Sequence, residues 1–549
     1  MTVALRPIVR AATAALLLAT TAFAQDGLPE GPDWGRPRRI RPEGKNVLFA
    51  TGDGCGGCHS ASSNAVALRD VTGADVSPHG LWRATAMANS FRDPYWRSQV
   101  AREIAAAPEK AEEIQNLCVT CHAPMAHHTA RIAGRPHGSV RELTADPLAR
   151  DGVSCTVCHQ ARPDNFGKPE SFRGNLDIRP GRIIYGPYPD PMAGPMRMHS
   201  AYTATEGPHV QESALCGSCH TLVTRPAPDA PDFPEQTPYL EWRNSVFSTE
   251  GRREPESRNC QECHMADLGE IAIARNPAGV DFAIDPRPNY RAHAFVGGNA
   301  FLLEMLRDAA EELGVTAPPE AFDRLISATR RQLRRDTADV EIDGLSRQDD
   351  RIRFSVKVTN RTGHKLPTGY PARRIWLTTE VIVGEYQVFE SGGLDDGGRI
   401  TDLAADAAAK HVDRVRSPAD VPVWSAVPVD LEGRPTTILH GMARYAKDDR
   451  LLPRGWKPDG PDVAMTAPVG VDGDADFIGG SDTVHFDLPV PADIRGEITV
   501  KVMLLYQSIP PEWAAPHAEG KAPENEVFTR LYRASNTLAE ILGTATAVR

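Results

Sequence analysis

From Ile352 to Thr359 the chain alternates strictly. Ile352, Phe354, Val356 and Val358 are apolar, and Arg353, Ser355, Lys357 and Thr359 between them are polar. A period of two puts all four apolar side chains on one face, which predicts a half-buried strand. Ile498, Val500, Val502, Leu504 and Tyr506 repeat the pattern, and 375–383, 436–439 and 484–488 are further strand candidates. Residues from about 339 to 506 therefore predict an antiparallel β-sandwich. Just upstream the period is helical. Phe322, Leu325, Ile326, Thr329 and Leu333 share one face of a segment opened by Pro318 and Pro319. Asn299 precedes a shorter amphipathic helix with Phe301, Leu302, Met305 and Leu306 that ends near Gly314.

Before residue 299 periodicity is weak. The stretch from Pro78 to Ile104, with Trp82, Met87, Phe91 and Trp96, predicts helix, and five prolines between 226 and 238 predict a stiff connection. Pro 46 and Gly 45 among 549 residues also predict long irregular segments. The expected organisation is a leader at 1–24, a cofactor-packed domain at 25–298, a helical connector at 299–337 and the β-sandwich with a C-terminal extension at 338–549. The fold class is thus multidomain: a mainly α and irregular part followed by an all-β part.

The leader follows from Arg6 and Arg10 before an apolar run at 11–19 and the small-x-small triplet Ala22-Phe23-Ala24. That is a secretory signal, too short to span a membrane. The mature chain is expected in the periplasm, or outside the cell, without a membrane span. The net charge of −11 already makes nucleic acid an unsuitable partner, and loss of the leader's two arginines makes it more negative.

All ten cysteines fall in five Cys-x-x-Cys-His units: Cys55–Cys58–His59, Cys118–Cys121–His122, Cys155–Cys158–His159, Cys216–Cys219–His220 and Cys260–Cys263–His264. This is the spacing of c-type haem attachment, in which two thiols bond the porphyrin and the next imidazole ligates iron from below. A disulfide framework does not need that histidine, and a tetrahedral zinc ribbon has no use for a fifth adjacent donor. Five covalent haems c are expected within about forty residues of chain each, with the five histidines as proximal ligands.

Each iron needs a sixth ligand unless it is left open for chemistry. The distal candidates are His79, His128, His209, His293 and His364. His127 competes with His128, and His199 lies among Met192, Met196 and Met198. His364 sits in a turn-rich stretch leaving the first alternating strand, so it predicts a ligand supplied by the β-domain, with Arg373 and Arg374 meeting propionates. Enough histidines exist to fill every iron. Asp472, Asp474 and Asp476, with Asp482 nearby, resemble the start of a calcium loop, but Phe477 occupies the glycine position and the twelfth position lacks glutamate. A solvated turn is expected there.

Trp82-Arg83-Ala84-Thr85-Ala86-Met87-Ala88-Asn89, His209-Val210-Gln211-Glu212-Ser213, His293-Ala294-Phe295-Val296-Gly297-Gly298-Asn299, Gly363-His364-Lys365-Leu366-Pro367-Thr368-Gly369 and Leu451-Leu452-Pro453-Arg454-Gly455 resemble motifs of bacterial periplasmic multihaem c-type cytochromes. The first part of the chain is similar to the superfamily of the tetrahaem cytochrome of ammonia oxidisers and hydroxylamine oxidoreductase. The resemblance implies electron transfer between redox proteins: other cytochromes, a quinol-linked complex or a terminal reductase. It implies an enzyme less strongly. The Cys-x-x-Cys-Lys of penta-haem nitrite reductases is absent, and hydroxylamine oxidoreductase carries eight haems. The alternative is an oxidoreductase with one open haem acting on a small nitrogen, sulfur or metal-ion substrate.

Overall fold

The structure, a computed structural model, describes residues 48–251, 253–403, 410–536 and 539–549. The leader at 1–24 lies outside the described residues.

The first part is built of short helices, turns and two small sheets. Strands β1 (Ile183–Gly186) and β2 (Thr203–Glu206) run parallel, and β3 (Leu222–Thr224) pairs antiparallel with β4 (Phe233–Gln236). The expected long helix at 78–104 is two helices, Pro78–Trp82 and Pro94–Ala106. The break has a local cause. Asp93 accepts hydrogen bonds from the Tyr95 and Trp96 amides, and Pro94 follows at the first helical position, so the Asp-Pro pair starts a new helix.

The connector forms as its period requires. The Asn299 side chain accepts from Leu302 N at 3.0 Å and caps helix Ala300–Asp308. Helix Pro319–Asp336 buries Phe322, Leu325, Ile326, Thr329 and Leu333. Phe322, Leu325 and Ile326 pack against Leu302, Leu303 and Leu306, while Leu333 joins the core of the sheets that follow.

Those sheets form two layers. One contains β5 (Ala338–Gln348), β6 (Arg351–Asn360), β12 (Ser481–Pro489) and β9 (Arg414–Val415), in the order β5-β6-β12-β9. The other contains β7 (Arg374–Val383), β8 (Tyr386–Ser391), β10 (Val423–Val429), β11 (Arg444–Asp448), β13 (Ile498–Gln507) and β14 (Glu540–Val548). Its order is β11-β10-β7-β13-β14, with β8 also on β7. Apolar residues of β6 and β12 meet those of β7 and β13 in one core, where Phe354 stacks on Phe486 at 4.5 Å. Each such fully buried side chain contributes roughly 1.5–3 kcal/mol.

Three expectations need correction. The β9–β12 pair is parallel rather than antiparallel. Residues 436–439 make no strand. There Gln99 donates to Thr437 O at 2.8 Å and Glu103 accepts from Leu439 N at 2.7 Å, so a helix of the first part holds this backbone. The alternation also missed β14, which closes the sheet beside β13. Between them, helix Pro523–Ala534 packs Phe528 and Leu531 into a cluster with Tyr95. His517 shares a 2.6 Å hydrogen bond with Ser98, so the end of the chain grips its beginning. Among the described residues no helix is long and apolar enough to cross a membrane.

Candidate functional site

Four of the five Cys-x-x-Cys-His units lie on or at the end of short helices: Gly52–His59, Ala111–His122, Cys155–Cys158 and Cys260–His264. The fifth begins on helix Ser213–Gly217. A spacing of three on a helix turns both thiols to one side. The Cys260 helix is started by a reciprocal cap, in which Asn259 accepts from Glu262 N and Glu262 from Asn259 N, both at 2.8 Å. These helices converge on a cavity of about 2090 Å³ lined by every motif cysteine except Cys118 and by all five motif histidines.

All ten cysteines are free thiols. Among the described residues none belongs to a cluster of three or more metal-donor atoms, which is how a zinc–thiolate site would show itself. Burial pushes Cys158 up to about 12 and Cys263 up to about 11, against the thiolate character that reactive cysteines need. The motifs instead meet one another. Cys55 interacts with Cys155, Cys216 with Cys260 and Cys219 with Cys121, and the charge of Cys219 is felt at Cys158. The five Cys-x-x-Cys-His units are thus electrostatic neighbours: first of third, third of fourth, and fourth of both second and fifth.

Four of the motif imidazoles share one device. Nδ1 of His59 faces Ile273 O at 2.9 Å, His122 faces Ser90 O at 3.0 Å, His159 faces Tyr185 O at 2.7 Å and His264 faces Val296 O at 2.6 Å. A carbonyl only accepts, so Nδ1 carries the proton and Nε2 keeps its lone pair. That is the tautomer and orientation a metal-ligating histidine requires. Burial lowers His59 and His159 below the usual imidazole range and pushes His122 and His220 down to about 4.

Two of these imidazoles have a second imidazole opposite. His293 lies 6.2 Å from His159, centroid to centroid, with 19° between planes, and His364 lies 6.3 Å from His264 at 18°. Nδ1 of His293 donates to Arg291 O and Nδ1 of His364 to Lys365 O, both at 2.9 Å, so these Nε2 atoms also keep their lone pairs. Two rings of about 1.1 Å radius on opposite sides of one metal, each bonded at about 2.0–2.1 Å, would stand about 6.3 Å apart. The two centroid separations match that spacing.

His364 reaches the cavity from the β-part on a fixed loop. Asn360 donates to His364 O at 2.8 Å, and Glu241 accepts from Lys365 N at 3.0 Å and from Thr368 Oγ1 at 2.5 Å. Lys365 Nζ meets Asp448 at 2.6 Å, and Arg450 bonds both oxygens of Asp448 at 2.7 Å. Arg373 lines the cavity beside this loop. Arg374 does not: it is buried in the sandwich, donating to Gln507 Oε1 and Glu512.

The other candidates are placed differently. His79 lines the cavity, with Nδ1 2.9 Å from Ser60 Oγ and Nε2 3.2 Å from Asp53. His199 lines it from helix Ala193–Ser200, beside Met192, Met196 and Met198. His128 and His209 are buried but outside its lining. Nδ1 of His128 accepts from Arg131 at 2.9 Å, and its Nε2 is buried with no partner. His209 donates through Nε2 to Ala161 O at 3.0 Å. Sequence reasoning listed Trp96 only as a helix residue, yet it stacks on His122 at 4.5 Å and 8°. It also missed the carbonyls that orient the motif imidazoles, because a backbone oxygen leaves no trace in residue type.

No protein-family profile matches the sequence, and no curated protein matches it. Among solved structures, the fold is similar to that of a penta-haem cytochrome c552 from Thermochromatium tepidum, with a TM-score of 0.50 and 15% identity. The match covers 92% of this chain and 100% of that one.

Proposed function

We propose that this chain is a periplasmic multihaem c-type cytochrome that carries electrons between redox partner proteins through five covalently attached haems. The observation that carries the reading is the convergence of the five motifs on one cavity, with two motif imidazoles each faced by a second imidazole at the spacing of a shared ion. The ten thiols would anchor the porphyrins, and His59, His122, His159, His220 and His264 would be the proximal ligands. His293 and His364 would complete the sites of His159 and His264. His79 and His128 would serve two of the remaining sites once Asp53 gives up Nε2 of His79 and Arg131 gives up Nδ1 of His128, and His209 would do so through Nδ1, since its Nε2 is engaged. Bound haem supplies reversible one-electron chemistry at a potential set by ligation and burial. The fold shared with the penta-haem cytochrome c552 supports this reading, as does the electrostatic proximity of the five Cys-x-x-Cys-His units.

The test is expression in a host that matures c-type cytochromes, followed by intact mass, pyridine haemochrome and electron paramagnetic resonance of the oxidised protein. Five haems, all low-spin, are expected. Fewer than five would refute the stoichiometry. A high-spin fraction near one haem in five that binds nitrite or cyanide would replace the carrier by the oxidoreductase reading.

A further inference from the structure

Beside the His364 loop, where Lys365 meets Asp448 and Leu366 pairs with Leu451, four side chains are buried together. His411 precedes β9, Asp449 follows β11, Asp474 lies in the 470–480 loop and Asp482 is on β12. The His411, Asp449 and Asp474 side chains are 8%, 1% and 4% exposed. Asp482 is fully buried. Asp474 thus leaves the solvated turn that the sequence predicts, while Asp472 is exposed and Asp476 half-exposed.

His411 Nδ1 stands 3.0 Å from Asp449 Oδ2, and its Nε2 stands 2.8 Å from Asp474 Oδ2. Asp449 is itself fixed by Ser425 N at 2.8 Å and Lys447 Nζ at 3.1 Å. Asp482 accepts from Trp424 Nε1 through Oδ2 at 2.7 Å, while its Oδ1 is buried with no partner. Donor atoms of His411, Asp474 and Asp482 lie within 4.8 Å of one another.

We propose that His411 Nε2, Asp474 and Asp482 bind one divalent cation of the zinc type, with Asp449 as the carboxylate that orients the histidine. Three features point to the ion. A ligating histidine characteristically donates its other ring nitrogen to a carboxylate, and His411–Asp449 is that pair. The unpartnered Asp482 Oδ1 is a buried oxygen that costs free energy unless something satisfies it. Once a cation takes the place of the proton on His411 Nε2, the three carboxylates and Lys447 leave two negative charges, which one divalent cation neutralises. An imidazole among three protein ligands favours zinc or a related first-row ion over calcium, which takes six to eight oxygens. The site would staple the 470–480 loop to β12 and to the chain entering β9, a role independent of electron transfer. The neighbouring trio Asp413, Asp476 and His485 is more exposed, with side chains 30–43% accessible, and no buried unpartnered atom points into it.

Zinc binding to the haem-loaded protein tests this. After dialysis against a chelator, which leaves covalently held haem in place, zinc is added back, and metal content and the zinc X-ray absorption edge are read. About one zinc per chain with a nitrogen–oxygen shell is expected, together with a rise in the thermal midpoint of the β-part. His411→Ala and Asp482→Asn should lose the zinc while retaining every haem, and Asp449→Asn should weaken binding about 10–100-fold. Should those variants fail to fold, the wild-type titration decides alone. Less than about 0.1 zinc per chain at saturating metal, or a sulfur-containing shell from unattached thiols, overturns the proposal.

Discussion

Glu241→Ala tests how the β-part holds His364 in place. Glu241 lies on helix Pro238–Arg243 of the first part, with its side chain fully buried. Its Oε2 accepts from Lys365 N and Thr368 Oγ1, on either side of the turn that follows His364, and its Oε1 is 4.0 Å from Arg450. With Asp448, Lys365 and Arg450 it makes a buried group of two carboxylates and two cations. Thr237 Oγ1 also donates to Oε1 at 3.2 Å, so truncation removes three hydrogen bonds to a charged acceptor, each worth about 1.5–3 kcal/mol, and leaves two cations facing one carboxylate. Breaking a buried pair in this way costs about 3–5 kcal/mol. For a unit the size of the β-part, this lowers the thermal midpoint by roughly 10 °C, readable by far-ultraviolet circular dichroism. The loosened loop should also release His364, so a high-spin signal of up to one haem in five appears in electron paramagnetic resonance. A midpoint lowered by less than about 3 °C with an unchanged spectrum would refute the argument.

Direct removal of the facing imidazoles is the complementary test. His364→Ala and His293→Ala should each turn one haem high-spin at unchanged haem content, whereas His485→Ala, on β12 away from the cavity, should leave the spectrum as it is. An all-low-spin His364→Ala protein with unaltered potentials would refute the bridging role. A second outcome concerns pH. Glu235 is buried on β4, and desolvation, followed by the charge of Glu103, raises its carboxyl from 4.5 to about 8. The folded state therefore holds a proton that the unfolded state releases. This contribution is complete below about 4.5, declines as pH rises, and is gone above about 8. Since one pKa unit corresponds to about 1.4 kcal/mol, Glu235→Gln should gain up to a few kcal/mol over wild type between pH 5 and 8. Denaturation midpoints of the two proteins that differ by a constant amount across that range would refute this.

The sequence displayed those features whose cause is local. Ile352 to Val358 had to form a strand with one buried face, and Phe322 to Leu333 a helix with one buried stripe, because the period alone places those side chains. The break at Asp93-Pro94 was equally local and equally readable, but the aromatic spacing from Trp82 to Trp96 masked it. Other features depend on partners that no pattern announces. Residues 436–439 lose their expected strand because Gln99 and Glu103 take their backbone groups from more than three hundred positions away. Asp474 leaves solvent because His411 is waiting for it.

The same division separates the two kinds of imidazole around the cavity. His293 and His364 fix their tautomers with carbonyls two residues back and one residue ahead, so their Nε2 lone pairs are set by the turn itself. The motif imidazoles depend on distant backbone: His159 on Tyr185, His264 on Val296 and His59 on Ile273, separated by 26, 32 and 214 positions. A Cys-x-x-Cys-His unit thus marks where a porphyrin would be attached but does not orient its own histidine. Orientation comes only when β1, the 291–299 segment and the chain around Ile273 close over the motifs. The orientation of the motif imidazoles is a property of the folded chain, while the imidazoles facing His159 and His264 arrive already turned. The Cys-x-x-Cys-His units could therefore be read from the sequence at once, and the pairing of His293 with His159 and of His364 with His264 could not.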